Sequence, residues 1–514
     1  MSDPTTTPRP RHPAPVDLAD LVRWSAAHDP TATTRGRVEG VSVTGVSLSS
    51  QRVRPGDLYA ALPGARAHGI DFAADAVAAG AVAVLTDPAG AGRAPAGLPV
   101  LVVAHPRGLL GALAAYVYGE PAGALRMIGV TGTQGKTTTT RLAESGLEGS
   151  GTRAGVVGTV GTRIAGQDVP TTLTTPEAPD LHGLFALMRE REVAACAMEV
   201  SSHALVMGRV DGVVFDVAVF LNLGRDHLDF HGTVAEYFAA KASLFTPQRA
   251  RLGLVNLDDE HGRRLLEEAT VPVRTFSASG AEADWRAVDV ELDAAGSRFT
   301  VLGPGGVRIE AGVPLPGDFN VANALAAIAA CAEAGFDPAP VAAALAAGAG
   351  VPGRLERVEA GQDFEVVVDY AHKPDAVAAA IATLRPLTEG RVIVVLGAGG
   401  DRDAGKRPIM AGIAAGLADV LVITDDNPRT EDPAEIRAQM RAGTTGAHGP
   451  VRAEVLEIGD RREAIATALR LASRGDIVLV AGKGHETGQE IHGVVHPFDD
   501  RDVVRELLAG GGPA

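Results

Sequence analysis

The sequence predicts an α/β protein of several domains built on parallel sheets, and three observations predict it. The segment MIGVTGTQGKTTTT, residues 127–140, joins an apolar strand-like run to a Gly/Thr loop and the start of a helix. Around it, short and nearly continuous apolar runs alternate with helical patterns, as in a parallel sheet covered on both faces. A second alternating unit of the same kind begins near Val351. A chain of 514 residues corresponds to about three domains at roughly 150 residues each.

Taken in order, residues 1–15 (MSDPTTTPRPRHPAP) are polar and proline-rich and predict a disordered tail with neither a signal peptide nor a membrane anchor. Residues 16–122 mix short strands (GVSVTGVSLSS, GDLYAAL, AVAVLTD) with an alanine-rich helix near Phe72 to Ala79. The apolar stretch LVVAHPRGLLGALAAYVYG is broken by His105, Pro106 and Arg107, and no run of ~18 apolar residues exists to span a bilayer. Residues 123–350 carry the phosphate-loop segment. Strand runs RAGVVGTVGT, VAACAMEVSSHAL and FDVAVFLNLG follow, with a helix in TVAEYFAAKASLF. After about Val271 the pattern changes to antiparallel hairpins, and an alanine-rich helix pair follows Asn320. GAGVPGRLERV is a linker, and residues 351–514 hold strands in FEVVVDYA, RVIVVLGAGG, DVLVITDDNP and DIVLVAGKG.

Composition narrows the function. With 46% apolar residues the chain can bury several cores, and a net charge of −16 lacks the basic field of a nucleic-acid scaffold. Cys196 and Cys331 are the only cysteines and have no metal-ligand spacing, which fits a reducing cytoplasm.

The Gly/Thr loop points backbone N–H groups toward a phosphate, with Lys136 reaching the terminal phosphates. The usual pattern is G-x-x-x-x-G-K-[ST]; here Val130 occupies the first glycine position. Ligands of open parallel sheets collect at the carboxyl ends of strands. At those ends stand Glu199, Ser201, Ser202 and His203, then Asn222, Asp226 and His227. A single polar residue after a strand is usually a loop cap, but several beside a phosphate loop point to a site. Glu199 and His227 could hold Mg²⁺ against nucleotide phosphates. His227 and His231, four apart, are a possible zinc pair that lacks a third ligand of suitable spacing. Lys241 lies beside an apolar helical face of Phe238, Ala242 and Phe245, where an isolated lysine is most simply solvated. As an ammonium it offers no lone pair to a metal.

The motifs TGTQGKTTT, LTTPE, MEVSSHAL, NLGRDHLDFHG, YFAAKASLF, GDFNVANALAA, GRLERV, DYAHKPDA, GAGGDRDAGKRP, DDNPR and AGKGHE stand in the order seen in the Mur ligases. From about Val41 to Glu506 the chain resembles the branch of that family that adds the third residue of the peptidoglycan stem peptide. The resemblance implies three domains: UDP-binding, central ATPase with a P-loop-type parallel sheet, and C-terminal Rossmann-like. It implies ATP and Mg²⁺, with a CO₂-derived carbamate on Lys241 that turns the cation into a metal-binding carboxylate. The implied reaction joins an amino acid to UDP-MurNAc-L-Ala-D-Glu through an acyl phosphate. The implied setting is a cytoplasmic monomer with no nucleic-acid partner and no membrane insertion.

Carried onto this sequence, the resemblance implies that Thr131, Gly132, Thr133, Gln134, Gly135, Lys136 and Thr137 cradle the nucleotide, with Asn320, Arg354, Asp369 and His372 around it. Lys136, Lys241 and His227 are the implied catalytic groups, and Thr137, Glu199, His227 and Lys241 surround the metal. Thr174, Thr175, Ser201 and Arg209 would contact the UDP-MurNAc-peptide. Many relatives read Asp-Ser-Arg before the PGDL element; here Ser49, Ser50 and Gln51 stand there, which leaves Ser50 to bond a uracil edge.

Amino-acid choice falls to TDDNPRTED. An Asn-Pro turn with a solvated Arg429 is the simple interpretation. In the family, Asp-Asn-Pro-Arg goes with meso-diaminopimelate, and lysine-adding relatives lack the arginine. Diaminopimelate carries one more carboxylate than lysine, which a guanidinium fork would recognise. The implied pocket is Arg402, Asp426, Asn427, Pro428, Arg429, Gly482 and Glu486. L-lysine is the alternative substrate, and a P-loop kinase or nucleotide switch the alternative class. A switch would need a base-reading motif that is absent from the sequence. A dinucleotide oxidoreductase fails because Arg402 stands at the third glycine of VVLGAGGDRD. Folate-polyglutamylating relatives lack the domain implied by RVRPGDLYAALPGARAHG. The D-Ala-D-Ala-adding branch is excluded by DNPR and the setting of Lys241.

Overall fold

The apolar run RMIGVT forms a strand, Arg126–Thr131, buried from Met127 onward. Burial on both faces explains its lack of polar alternation. Gly129 is required by packing, since a Cβ there would lie 2.7 Å from the Phe215 ring. Parallel neighbours are Ala195–Glu199 on one side and Phe215–Phe220 on the other. Outward from them, Ala154–Gly158 flanks the first, while Ala250–Asn256 and Val273–Ser277 continue past the second. The chain leaves Arg126–Thr131 toward Ala154–Gly158 and later builds the sheet in the opposite direction. This strand is therefore a switch point, and a crevice opens at the carboxyl ends around it. Strands starting at Trp285, Gly296 and Val307 extend the sheet side by side in chain order, as the hairpin pattern predicts. The expected alanine-rich helix pair is Asp318–Glu333 and Pro338–Ala347.

The computed structural model describes residues 8–171, 173–293, 295–446 and 451–510. The chain forms two units. The first runs to Val288 and takes in Thr300–Ala311 and Ala322–Leu345; the second comprises Asp289–Phe299, Gly312–Val321 and the chain from Ala346. Besides the strands from Arg126–Thr131 to Val273–Ser277, the first unit holds a five-stranded sheet with its own core around Leu58, Leu85, Leu101 and Leu113. Its order is Thr33–Arg35, Val100–Val102, Ala83–Thr86, Asp57–Ala60, Gly45–Ser47.

The expectation of a disordered tail through residue 15 is corrected for residues 8–15; residues 1–7 lie outside the described residues. Arg9 Nη1 donates to both carboxylate oxygens of Asp57 at 2.7 Å, and Nη2 donates to the Val46 carbonyl at 2.9 Å. The two side chains are 8% and 2% exposed. The N–H groups of Arg11 and His12 donate to Glu190. A buried, charge-assisted fork offsets the entropy of ordering the arm, an effect that proline-rich composition does not reveal.

In the second unit a six-stranded sheet runs Glu356–Arg357, Glu365–Asp369, Ile477–Ala481, Val392–Ala398, Val420–Asp425, Glu454–Glu457. All pairs are parallel except the first. Alternate residues feed two cores: Val367, Leu396, Leu421 and Leu479 face one, Val366, Val395, Val422 and Val480 the other. Four strands thus deliver DYAHKP, GAGGDRD, DDNPR and GKGHE from their carboxyl ends.

Among the described residues, no helix is long and apolar enough to cross a membrane.

Candidate active site

At the switch point, Gly135 takes a left-handed φ of 84° and turns the loop into the helix Lys136–Gly149. A Cβ there would meet Asn323 Oδ1 at 2.4 Å, so only glycine fits. Asn222 Oδ1 accepts from the N–H groups of Thr133 and Gln134, and Thr131 Oγ1 donates to the Val200 carbonyl. Lys136 Nζ folds back onto the carbonyls of Gly132 and Thr133 at 2.6 and 3.1 Å. Thr137 Oγ1 donates to Glu199 Oε1 at 2.9 Å. Glu199 is 1% exposed, and Thr159 holds it through both its N–H and its hydroxyl. A Cβ on Gly158 would strike this carboxylate. Hard oxygen donors held this way suit Mg²⁺, which takes oxygen ligands and keeps waters.

Lys241 is 1% exposed, which removes the solvated-face interpretation. Its helix, Val234–Ala242, starts at a capping box in which Thr233 and Glu236 each bond the other's backbone N–H. Nζ donates to the Gly132 carbonyl at 2.9 Å, reaches Thr131 Oγ1 at 3.4 Å, and lies 4.7 Å over the Tyr237 ring. Tyr237 in turn bonds Thr133 Oγ1. His227, at a left-handed φ of 53°, stands in a ring cluster with His203 and Tyr237. His231 bonds Ser202 Oγ. Burial holds the His203 and His231 imidazoles below their ordinary range. Among the described residues, no group of three or more His, Cys, Asp and Glu is placed to hold a metal, so the zinc pair gains no third ligand.

Ser201 caps the short helix Ser202–Val206, and Thr175 Oγ1 donates to the Glu199 carbonyl. Thr174 and Thr159 share a hydroxyl contact at 3.1 Å. Arg209 Nε donates to Glu177 at 2.8 Å, and Arg107 donates to the same carboxylate at 3.1 Å. Glu177 and Arg107 also border a cavity of about 500 Å³ lined by Ser49, Ser50, Gln51 and Tyr59. Ser50 therefore lies on the wall of that cavity.

In the second unit, Asp369 accepts from the N–H groups of Leu355 and Ala371, and burial pushes its carboxyl up. Arg354 stacks over Tyr370. Burial lowers His372 to about 4, and Lys406 Nζ bonds its carbonyl. Asn320, which belongs to the second unit, is buried with Nδ2 on the Pro316 carbonyl.

Asp426 and Asn427 are buried after strand Val420–Asp425. Gly482, at φ 117°, lets Asp426 approach, since a Cβ there would sit 2.6 Å from Asp426 Oδ2. Asn427 Nδ2 donates to Glu486 Oε2 at 2.8 Å. Pro428 precedes Arg429, whose φ is 52° and whose Nη1 donates to the Gly400 carbonyl at 2.6 Å. Arg429 is thus held by structure rather than solvated. Arg402 is exposed on the neighbouring loop.

Sequence reasoning assigned no role to Thr159, Tyr237, Glu177, Lys483, Arg407 or Arg461. Tyr237, Glu177, Lys483 and Arg407 stand inside quoted motifs, which was their only signal. Arg407, completely buried, bonds Glu431, Gln439 and the Gly399 carbonyl, and it holds the Glu431 carboxyl down at about 2.

The profile described as Mur ligase middle domain matches residues 130–331, that of the Mur ligase glutamate ligase domain 353–484, and that of the Mur ligase family catalytic domain 42–118. The chain is 57% identical over 503 residues, 98% of each chain, to a protein of Streptomyces avermitilis named UDP-N-acetylmuramoyl-L-alanyl-D-glutamate–2,6-diaminopimelate ligase. A Corynebacterium glutamicum protein of the same name is 50% identical, covering 96% of this chain and 97% of its own. A solved structure of a ligase with that name superposes with a TM-score of 0.70 at 34% identity, over 97% of this chain and 99% of the other. These matches run almost the whole length of the chain, and the chain belongs to the Mur ligase family.

Proposed function

We propose that this protein is an ATP-dependent amide ligase that adds meso-diaminopimelate to UDP-MurNAc-L-Ala-D-Glu in the synthesis of peptidoglycan precursor. The observation that carries the substrate choice is Arg429. Two residues along the chain from Asn427, its guanidinium is fixed by the Gly400 carbonyl and by Glu490, 3.3 Å from Nε. The names borne by the whole-length relatives support the same substrates.

A carboxylate is a poor acyl donor at neutral pH. Transfer of the ATP terminal phosphoryl group to the D-glutamyl carboxylate gives an acyl phosphate. The incoming amine attacks that carbonyl, and the tetrahedral adduct expels phosphate as the amide forms. The loop N–H groups and Lys136, released from its own loop carbonyls, would stabilise charge on the transferring phosphoryl group. Mg²⁺, when bound, neutralises phosphate charge. Thr137 and Glu199 would hold it, with His227 and a carbamate on Lys241. A carbamate keeps one N–H, so Lys241 can still donate to the Gly132 carbonyl while presenting anionic oxygen.

Arg209 suits the anionic oxygens of the peptide substrate. The 500 Å³ cavity beside Ser50 suits the uridine end. Asp369, Arg354, His372 and Asn320 would contact the nucleotide. The proposed setting is a cytoplasmic monomer.

Amide formation from UDP-MurNAc-L-Ala-D-Glu with a panel of free amino acids tests this assignment. Meso-diaminopimelate should far outperform L-lysine at matched subsaturating concentrations, and equal use would overturn the substrate choice. Phosphate release should require both peptide and amino acid; release with neither would favour a nucleotide switch.

A further inference from the structure

Lys483 is fully buried in the second unit. Its Nζ donates to Asn427 Oδ1 at 2.9 Å, lies 3.4 Å from Glu486 Oε2, and is 3.9 Å from Asp426 Oδ1. All three partners belong to the pocket assigned above. Taking an ammonium out of water costs several kcal/mol, so it persists only where paired and hydrogen-bonded.

The bonds around it dictate how Asn427 is turned. Asn427 Oδ1 accepts from Lys483 Nζ and from the Glu490 N–H at 3.0 Å. Rotating the amide would set its NH₂ group against both donors. Nδ2 is therefore aimed at Glu486 Oε2. Lys483 is thus shared by the Asn427 oxygen and the Asp426 and Glu486 carboxylates, whose remaining lone pairs can accept from an incoming ammonium group.

The backbone beneath is braced as well. Arg461, paired with Asp500 at 2.7 Å and equally buried, donates to the carbonyls of Asp425 and Ala481. Those are the last residues of the two strands that deliver Asp426 and Lys483.

We propose that Lys483 is a positioning residue that orients Asn427 and Glu486 to receive an ammonium group of diaminopimelate. This inference rests on the ligase assignment above. Lys483 touches no substrate; it acts through the two side chains it holds.

The test is a cycle of Lys483→Met, Glu486→Gln and the double variant, with KM measured separately for diaminopimelate, ATP and the UDP-peptide. Lys483→Met should raise KM for diaminopimelate about tenfold or more while the other two KM values move less than about twofold. In the Glu486→Gln background the same change should add less than about threefold, because contacting residues that act as a unit are not additive. Equal shifts in all three KM values, or losses that multiply, would overturn the proposal. If Lys483→Met fails to fold, Lys483→Arg keeps the charge and should show the same selective KM shift; a uniform shift overturns the proposal there too. A parent enzyme that does not ligate diaminopimelate strikes the ligase assignment, whereas a parent that does, with an unchanged KM in Lys483→Met, strikes this inference alone.

Discussion

The two parallel-sheet sites use opposite means of holding their ligand groups. In the first unit, the phosphate loop is held largely by neutral groups: Asn222 on two N–H groups, Thr131 on a carbonyl, Thr137 and Thr159 on Glu199. In the second, the strand-end loops proposed to hold the amino acid are tied by buried cations. Arg407 binds Glu431, Arg461 binds Asp500, and Lys483 joins Asn427 to Glu486. Backbone N–H groups recognise a phosphate whatever it is attached to, so glycine and hydroxyls suffice. Telling one amino acid from another needs charged side chains at fixed positions, and each needs a partner to stay in place.

The largest expected effect tests the first half of that contrast. Lys136→Ala should reduce ATP-dependent phosphate release by about three decades while leaving the fold intact, since the loop lysine contributes little to a core. Turnover near the parent level in purified variant would dismiss this loop as the cradle.

Lys136 and Lys241 depart from that pattern, since both donate to carbonyls of the phosphate loop, and Lys241 is the buried one. Lys241→Ala should lose about two decades of activity, of a size with one lost electrostatic stabiliser. Acetate should restore part of it if a carbamate is the active form, and Lys241→Arg should remain inactive. Full activity of the arginine variant would place the first unit's chemistry on the loop alone.

For the second unit, Arg429→Ala should narrow the preference for diaminopimelate over L-lysine by about one to two decades, with little change in ATP binding. Leaving a charged donor without its anion costs roughly 1–3 kcal/mol. A preference unchanged by this substitution would place the discrimination elsewhere.

The smallest effect concerns stability and touches both units, through one buried histidine in each. Burial lowers His182 and His372 to about 4, so both stay neutral in the fold at neutral pH. Between about 6.5 and 4 the unfolded chain binds more protons than the folded one, so stability falls as pH drops through that window. His182, fully buried with Nε2 on the Asp211 carbonyl, should account for on the order of 1–3 kcal/mol of that loss. His182→Phe should flatten the pH dependence of urea unfolding, and an unaltered slope would assign the acid sensitivity to other groups.

How much was legible in advance follows the same contrast. TGTQGKTTT announces a phosphate loop because the chemistry lies in consecutive backbone units, and local sequence specifies them. The strand ends carrying Glu199, Asp426 and Arg429 were legible from apolar runs followed by polar clusters. Arg461 and Asp500 were not: they are 39 residues apart and each is an ordinary surface residue type in an amphipathic helix. Only the fold brings them under two strand ends. Lys241 was open to a bland interpretation because helical periodicity places it next to the apolar face, and burial decided otherwise. Arg9 was hidden in a proline-rich segment whose composition says nothing of a carboxylate 48 residues on.

That arm also bears on the order in which the molecule can be assembled. Arg9 leaves the ribosome before its carboxylate partner Asp57, and the neighbouring Arg11 binds Glu190, 179 residues later. At about 5–20 residues per second, the arm waits roughly 10–40 s for that far anchor to be synthesised. Its docking therefore completes only after the helix Ala178–Glu190 exists. A nascent chain stopped short of Glu190 carries a segment made early and seated late, and protease access to the bonds beside Arg9 would report when that seat closes.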